Sequence, residues 1–176
     1  PYMSIILGVG FMSLWYLWPN PVAFPMDDAY IHFVYAENLA EHGKLFFNNA
    51  GEPGVGSTSI SWVILLTGAN MLGVGVGLAA KVLSIISLII VGSGIYVLLR
   101  PIWGSLVALT SALLIVLSGH LLWFSLSGME TTLFLAFGVL ALLAYREKMW
   151  IWLGILLGLQ ILTRPEGLAL TIAIGL

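Results

Sequence analysis

Apolar residues in this chain come in long blocks separated by short polar breaks, not at the spacing of a half-buried strand or a surface helix. Tyr2 to Trp18, Gly77 to Leu99, Ile102 to Leu126, Thr131 to Tyr145 and Met149 to Leu162 are apolar almost throughout, and Leu168 opens another block. A membrane-crossing helix needs about 20 predominantly apolar residues, so the pattern predicts an all-α membrane protein with about five full spans and the start of a sixth. Lys81 interrupts the second block near its start, and His120 lies near the far end of the third. Trp15, Trp18, Trp103, Trp123, Trp150 and Trp152 fall near predicted helix ends, where interfacial aromatics gather. With Pro1 in place of a Met and Leu176 inside an apolar run, the expectation is a first helix lacking its beginning and the front portion of a larger protein.

Ile60 to Leu72 is a shorter block, in the length range of interfacial or re-entrant segments, and is predicted not to cross. That choice sets the parity of everything downstream. Without a crossing here, Asp27, Asp28, Glu130, Arg164 and Glu166 share one side; with it, the aspartates are separated from the other three. Lysine and arginine counts weigh little: the non-crossing topology puts Arg100, Arg146 and Lys148 inside against Lys44, Lys81 and Arg164 outside. Residues 1–176 then form a single transmembrane module in which residues 19–59 are an extracytoplasmic loop.

Composition agrees with the membrane reading. The chain is 60% hydrophobic and 8% charged, with a mean hydropathy of +1.07, whereas soluble domains carry about 25% charged residues. A net charge of −2 without a basic patch gives nucleic acid no footing. The absence of cysteine excludes disulfides and thiolate metal sites.

Against so little charge, the adjacent Asp27 and Asp28 are conspicuous. They open the polar stretch just beyond the first apolar block, where a carboxylate near hydrocarbon is costly and persists for a partner or a reaction. A helix is predicted from Asp28 to His42, with Asp27 as its cap and Gly43 as its stop. Asp28, His32, Tyr35 and Leu39 share one face, and apolar residues on both faces suit a helix at the membrane interface. The competing structural reading is that Asp27 caps and Asp28 only favours the helix dipole. Phe47 to Ser59 is rich in glycine and small polar residues. Its amides could hold an anion, but it lacks the Gly-x-x-x-x-Gly-Lys-[Ser/Thr] pattern and reads better as a plain connector, with Ser57, Thr58 or Ser59 capping the next helix.

Two later acids have their own structural reading. Ser127-Gly128-Met129-Glu130 and Thr163-Arg164-Pro165-Glu166 both fit a Ser/Thr-x-x-Glu capping box. Arg164, flanked by apolar helices, wants an anionic partner. His32, His42 and His120 lack zinc-ligand spacing. The one metal considered is a divalent cation at Asp27 and Asp28, and no other cofactor is expected.

Asp27-Asp28-Ala29-Tyr30-Ile31, Tyr35-Ala36-Glu37-Asn38-Leu39, Gly51-Glu52-Pro53 and Thr58-Ser59 before an apolar segment together resemble the GT-C superfamily of membrane glycosyltransferases. The likeness is to bacterial arabinofuranosyl- and mannosyltransferase types. Ser127-Gly128-Met129-Glu130-Thr131 and Leu162-Thr163-Arg164-Pro165-Glu166-Gly167 extend it, in the same order, over nearly the whole chain. The resemblance implies inverting transfer of a sugar from a polyprenyl-phosphate carrier outside the cytoplasm. It also implies a catalytic acid at Asp28 or Asp27 and interfacial helices in the first outer loop. The expected substrate-binding set is His32, Glu52, Thr58, Ser59, Glu130, Arg164 and Glu166, with Arg164 a candidate for the leaving phosphate.

The chemistry is coherent in itself. An acceptor hydroxyl is a weak nucleophile, so a carboxylate must take its proton, and the departing phosphate needs a cation or amide donors. Two other classes compete. A noncatalytic subunit of a larger membrane complex would keep the fold without the reaction. A secondary transporter would hold its acids near the midplane and show an inverted repeat, whereas these acids lie at helix ends.

Overall fold

The computed structural model describes residues 1–18, 24–47 and 56–175. The described residues form eight helices and no strand: α1 (Tyr2–Leu17), α2 (Asp28–His42), α3 (Ile60–Met71), α4 (Val76–Val116), α5 (Gly119–Leu126), α6 (Thr131–Arg146), α7 (Trp150–Thr163) and α8 (Gly167–Gly175). The all-α expectation holds. So do α2 and α3, with Gly43 ending α2 in the left-handed region at φ 66°.

The two apolar blocks expected as separate spans, Gly77 to Leu99 and Ile102 to Leu126, are divided differently. Helix continues past Arg100, and Gly104, at φ 77° and ψ 169°, then breaks α4 into two arms, 76–103 and 105–116. The second arm folds back on the first. A Cβ built on Gly92 would stand 2.8 Å from Val116, although a straight helix would hold these residues about 36 Å apart. Tyr96 Oη lies 3.0 Å from Ser105 Oγ, and Leu88, Tyr96, Ala108, Ala112 and Val116 share a core with Ile5 and Val9 of α1. The rest of the block, α5, is a separate helix started by Ser118, whose Oγ accepts the Leu121 N–H at 3.4 Å. It meets α6 at 114°.

Pro101 has no N–H, so the Val97 carbonyl one turn earlier loses its helical donor. Arg146 supplies one, donating from Nη1 at 2.8 Å, and Glu147 pairs with the same guanidinium at 2.8 Å. The Arg146 side chain is 35% exposed, so solvent screening discounts the pair and Arg146→Met should cost only about 1 kcal/mol. A lower thermal midpoint in detergent would register that loss; an unchanged one would mean that water serves the carbonyl equally well.

By length and apolarity α4 can cross a membrane, and the bent α5–α6 pair would be a second candidate. The expectation of five full spans is not supported on that measure. α1, α6 and α7 have 16, 16 and 14 residues, or about 21–24 Å against a hydrocarbon core of about 30 Å.

Contacts define two ends of the bundle. At one, Tyr2 packs edge-on against Tyr96, and a cavity is lined by Tyr2, Tyr96, Val97, Arg100, Pro101, Arg146 and Glu147. At the other, α2, α3, the first turns of α4 and the α5–α6 corner bury Ala29, Phe33, Trp62, Leu66, Val76, Ala79 and Met129 in one cluster. α3 belongs wholly to this second end. Ser61 Oγ donates to Leu159 O at 3.2 Å and Thr67 Oγ1 to Ala36 O at 3.3 Å, while the chain beyond α3 re-enters the same cluster at Val76.

Candidate functional site

Three chain corners meet at the α2–α3 end, each set by a local requirement. The first is the start of α2. Asp27 occupies the N-cap position but makes no side-chain cap bond, and Asp28 begins the first turn. His32 follows Asp28 by four residues, which places both on one face.

The second is the turn between α5 and α6. Gly128 has φ 83°, and a Cβ there would meet Phe24 at 2.8 Å and both Ala29 and Phe33 at 3.0 Å. Its carbonyl accepts the Trp62 indole N–H at 3.1 Å. Both the conformation and the space demand glycine. Gly128→Ala should therefore destabilise the protein by about 2–3 kcal/mol, through left-handed strain and overpacking. Unfolding at a midpoint equal to that of the unchanged protein would contradict this.

The third is the turn between α7 and α8. Arg164 is extended at φ −150°, and Gly167 lets α8 approach α7 closely, since a Cβ there would lie 3.0 Å from backbone atoms of Gln160 and Ile161.

These corners, with the segment leading into α3, bring Asp28, Ile31, His32, Gly56, Thr58, Met129, Glu130 and Arg164 around one pocket of ≈ 280 Å³, near the lower bound of about 300 Å³ for ligand sites. Glu130 lies at its centre of charge. Its side chain is only 4% exposed, with Oε1 3.0 Å from Arg164 Nε and Oε2 3.3 Å from His32 Nε2. The His32 contact is close enough for charge attraction but lies off hydrogen-bond alignment, since Oε2 has no partner by angle. His32 Nδ1 lies 2.9 Å from Ser57 Oγ, which completes a chain Ser57–His32–Glu130–Arg164. Burial pushes the Glu130 carboxyl up, but the adjacent His32 ring, its own backbone amide and the Arg164 charge together outweigh burial and hold it below the usual range.

Both capping-box readings fail. Ser127 Oγ donates backward to Phe124 O at 2.8 Å, and Thr163 Oγ1 to Leu159 O at 2.7 Å. Glu130 stands at the N-cap of α6 without a cap bond, because its carboxylate is turned to His32 and Arg164. Ser59 sits at the N-cap of α3, also without a side-chain cap bond, and is fully buried.

Of the expected site residues, Asp28, His32, Thr58, Glu130 and Arg164 line the pocket. Asp27 and Glu166 are exposed and outside its lining, as is the buried Ser59. Glu52 lies outside the described residues. Ser57 was foreseen only as a helix cap. Its role beside His32 had no signal beyond a run of hydroxyls. Among the described residues no three His, Asp or Glu side chains converge as metal ligands.

Comparison with known proteins returned no matching family model, curated protein or solved structure.

Proposed function

We propose that this protein is a membrane glycosyltransferase of GT-C type, moving a sugar from a polyprenyl-phosphate donor to an acceptor hydroxyl outside the cytoplasm. The observation that carries the reading is the convergence of Asp28, Glu130 and Arg164, from three separate corners, on one small pocket. Asp28 takes the acceptor proton as the new bond forms at the anomeric carbon. The bond from that carbon to the phosphate oxygen breaks, its electron pair leaves with the prenyl phosphate, and the anomeric configuration inverts. Arg164, 37% exposed while anchored by Glu130, offers its remaining N–H groups to the phosphate. A second cavity of ≈ 600 Å³, lined by Phe11, Leu14, Trp15 and Trp18 on the half of α1 nearer this end, has the apolar character a prenyl tail requires.

In this reading α1, the two arms of α4 (the second continued by α5), α6 and α7 are five membrane segments, α8 begins a sixth, and α2 and α3 lie at the outer interface. Arg100, Arg146 and Lys148 then face the cytoplasm. The chain has no cysteine, so Glu166→Cys and Arg100→Cys are clean reporters at opposite ends. An impermeant maleimide added to sealed cells should label Glu166→Cys alone. Labelling of both, or of Arg100→Cys alone, would overturn the orientation. The activity itself is tested by incubating the purified full-length protein with polyprenyl-phosphate sugars and hydroxyl acceptors. Release of prenyl phosphate together with a glycosylated acceptor is expected; no turnover with any donor would leave a noncatalytic subunit of a larger membrane complex as the better reading.

A further inference from the structure

The pocket holds less positive charge than the proposed ligand needs. Arg164 Nε already faces Glu130 Oε1 at 3.0 Å, so one carboxylate matches the guanidinium before any ligand arrives. Asp28 is exposed and also lines the pocket. A phosphodiester would make a third anion beside Asp28 and Glu130, around a single permanent cation. Like charges packed this closely favour uptake of a proton by whichever neighbour can accept one.

His32 is placed to accept it. Its side chain is 8% exposed, with one ring nitrogen 3.3 Å from Glu130 Oε2 and the other 2.9 Å from Ser57 Oγ. As neutral imidazole it directs Nε2–H toward Glu130 and accepts the Ser57 hydroxyl at Nδ1. As imidazolium it carries a proton on both nitrogens and donates from Nδ1, and Ser57 Oγ, also 3.4 Å from the Ser59 amide, becomes the acceptor. Only a hydroxyl proton has to turn. The other groups around it are Asp28 on its own helix, Glu130 from the α5–α6 corner and Arg164 from the α7–α8 corner. The Tyr35 hydroxyl accepts the Gly56 amide at 2.8 Å, and Lys81 lies over the Phe24 ring, outside this lining.

We propose that His32, as imidazolium, is the second cation of this anion site, so that a prenyl phosphodiester binds together with one proton from solvent. The inference rests on the reading of the ligand as a phosphodiester. Binding is reciprocal: if the proton favours the ligand, the ligand favours the proton.

The test uses full-length protein in nonionic detergent and farnesyl methyl phosphate, a diester whose single charge is constant near neutrality. Titration calorimetry at several pH values, in buffers of different ionisation enthalpy, gives both affinity and protons taken up. Affinity should rise as pH falls, by up to about tenfold per unit, with uptake approaching one proton per ligand. His32→Gln, which keeps hydrogen-bonding capacity, should bind weakly with little pH dependence. Two-dimensional NMR of nitrogen-labelled histidine in the unchanged protein should show the His32 ring becoming doubly protonated on ligand addition at about neutral pH. Affinity independent of pH, no binding at any pH, or pH dependence retained in folded His32→Gln would each overturn the proposal. Proton-linked binding without sugar transfer would reject the transferase reading alone. Transfer with pH-independent binding would reject this inference alone.

Discussion

Asp28→Asn is expected to lower sugar transfer by about 10²–10⁴-fold while leaving binding of the lipid donor largely intact. Asparagine keeps the shape of aspartate and serves helix starts nearly as well, so the swap removes little except the ability to accept a proton. The structure separates the two neighbouring acids. Both are exposed, but Asp28 lines the pocket on the same helical face as His32, whereas Asp27 is outside the lining and without a cap bond. Asp27→Asn should therefore leave transfer within about threefold of normal, since surface substitutions are usually small in effect. Donor-transfer rates for the two single variants and the double variant decide the matter. If all three retain near-normal turnover, Asp28 is not the base.

Glu130→Gln is expected to be as damaging to stability as any change in the site. The substitution preserves volume but removes the charge that Arg164 and His32 both face at close range. Breaking a fully buried pair costs about 3–5 kcal/mol, and partial solvation of Arg164 should reduce this to about 2–3 kcal/mol. The pH dependence carries a second signature. The folded-state carboxyl lies below its ordinary range, so its stabilisation is fully present above the unfolded value of about 4.3 and is lost as pH falls through the folded value. Denaturant unfolding should show an acid-side loss in the unchanged protein that is smaller in Glu130→Gln. Equal acid limbs would mean that Glu130 is not held ionised by its neighbours.

Much of the architecture was legible because hydrophobic blocks and their breaks report backbone demands directly. Glycine and proline ended helices where expected: Gly43 closes α2, and Arg164-Pro165 separates α7 from α8. The error over residues 102–126 has an identifiable cause. Uniform apolarity says that a segment is buried or in lipid, but not where its axis turns, and the turns at Gly104 and Ser118 rest on one φ angle and one hydroxyl cap. The capping boxes misled for a related reason. Ser-x-x-Glu describes a local bond that competes with any distant partner, and at Glu130 two distant side chains, Arg164 and His32, won.

From residues alone follow an all-helical chain poor in charge, an acid pair at the start of a polar stretch, and an arginine that needed an anion. Their type and order along the chain suffice for that much. Which anion Arg164 meets, that His32 bridges Ser57 to Glu130, and that Asp28 rather than Asp27 lines the pocket were decided by tertiary structure. Those contacts join residues far apart in sequence, and Gly128 and Gly167 let neighbours come to 2.8–3.0 Å of where a Cβ would stand.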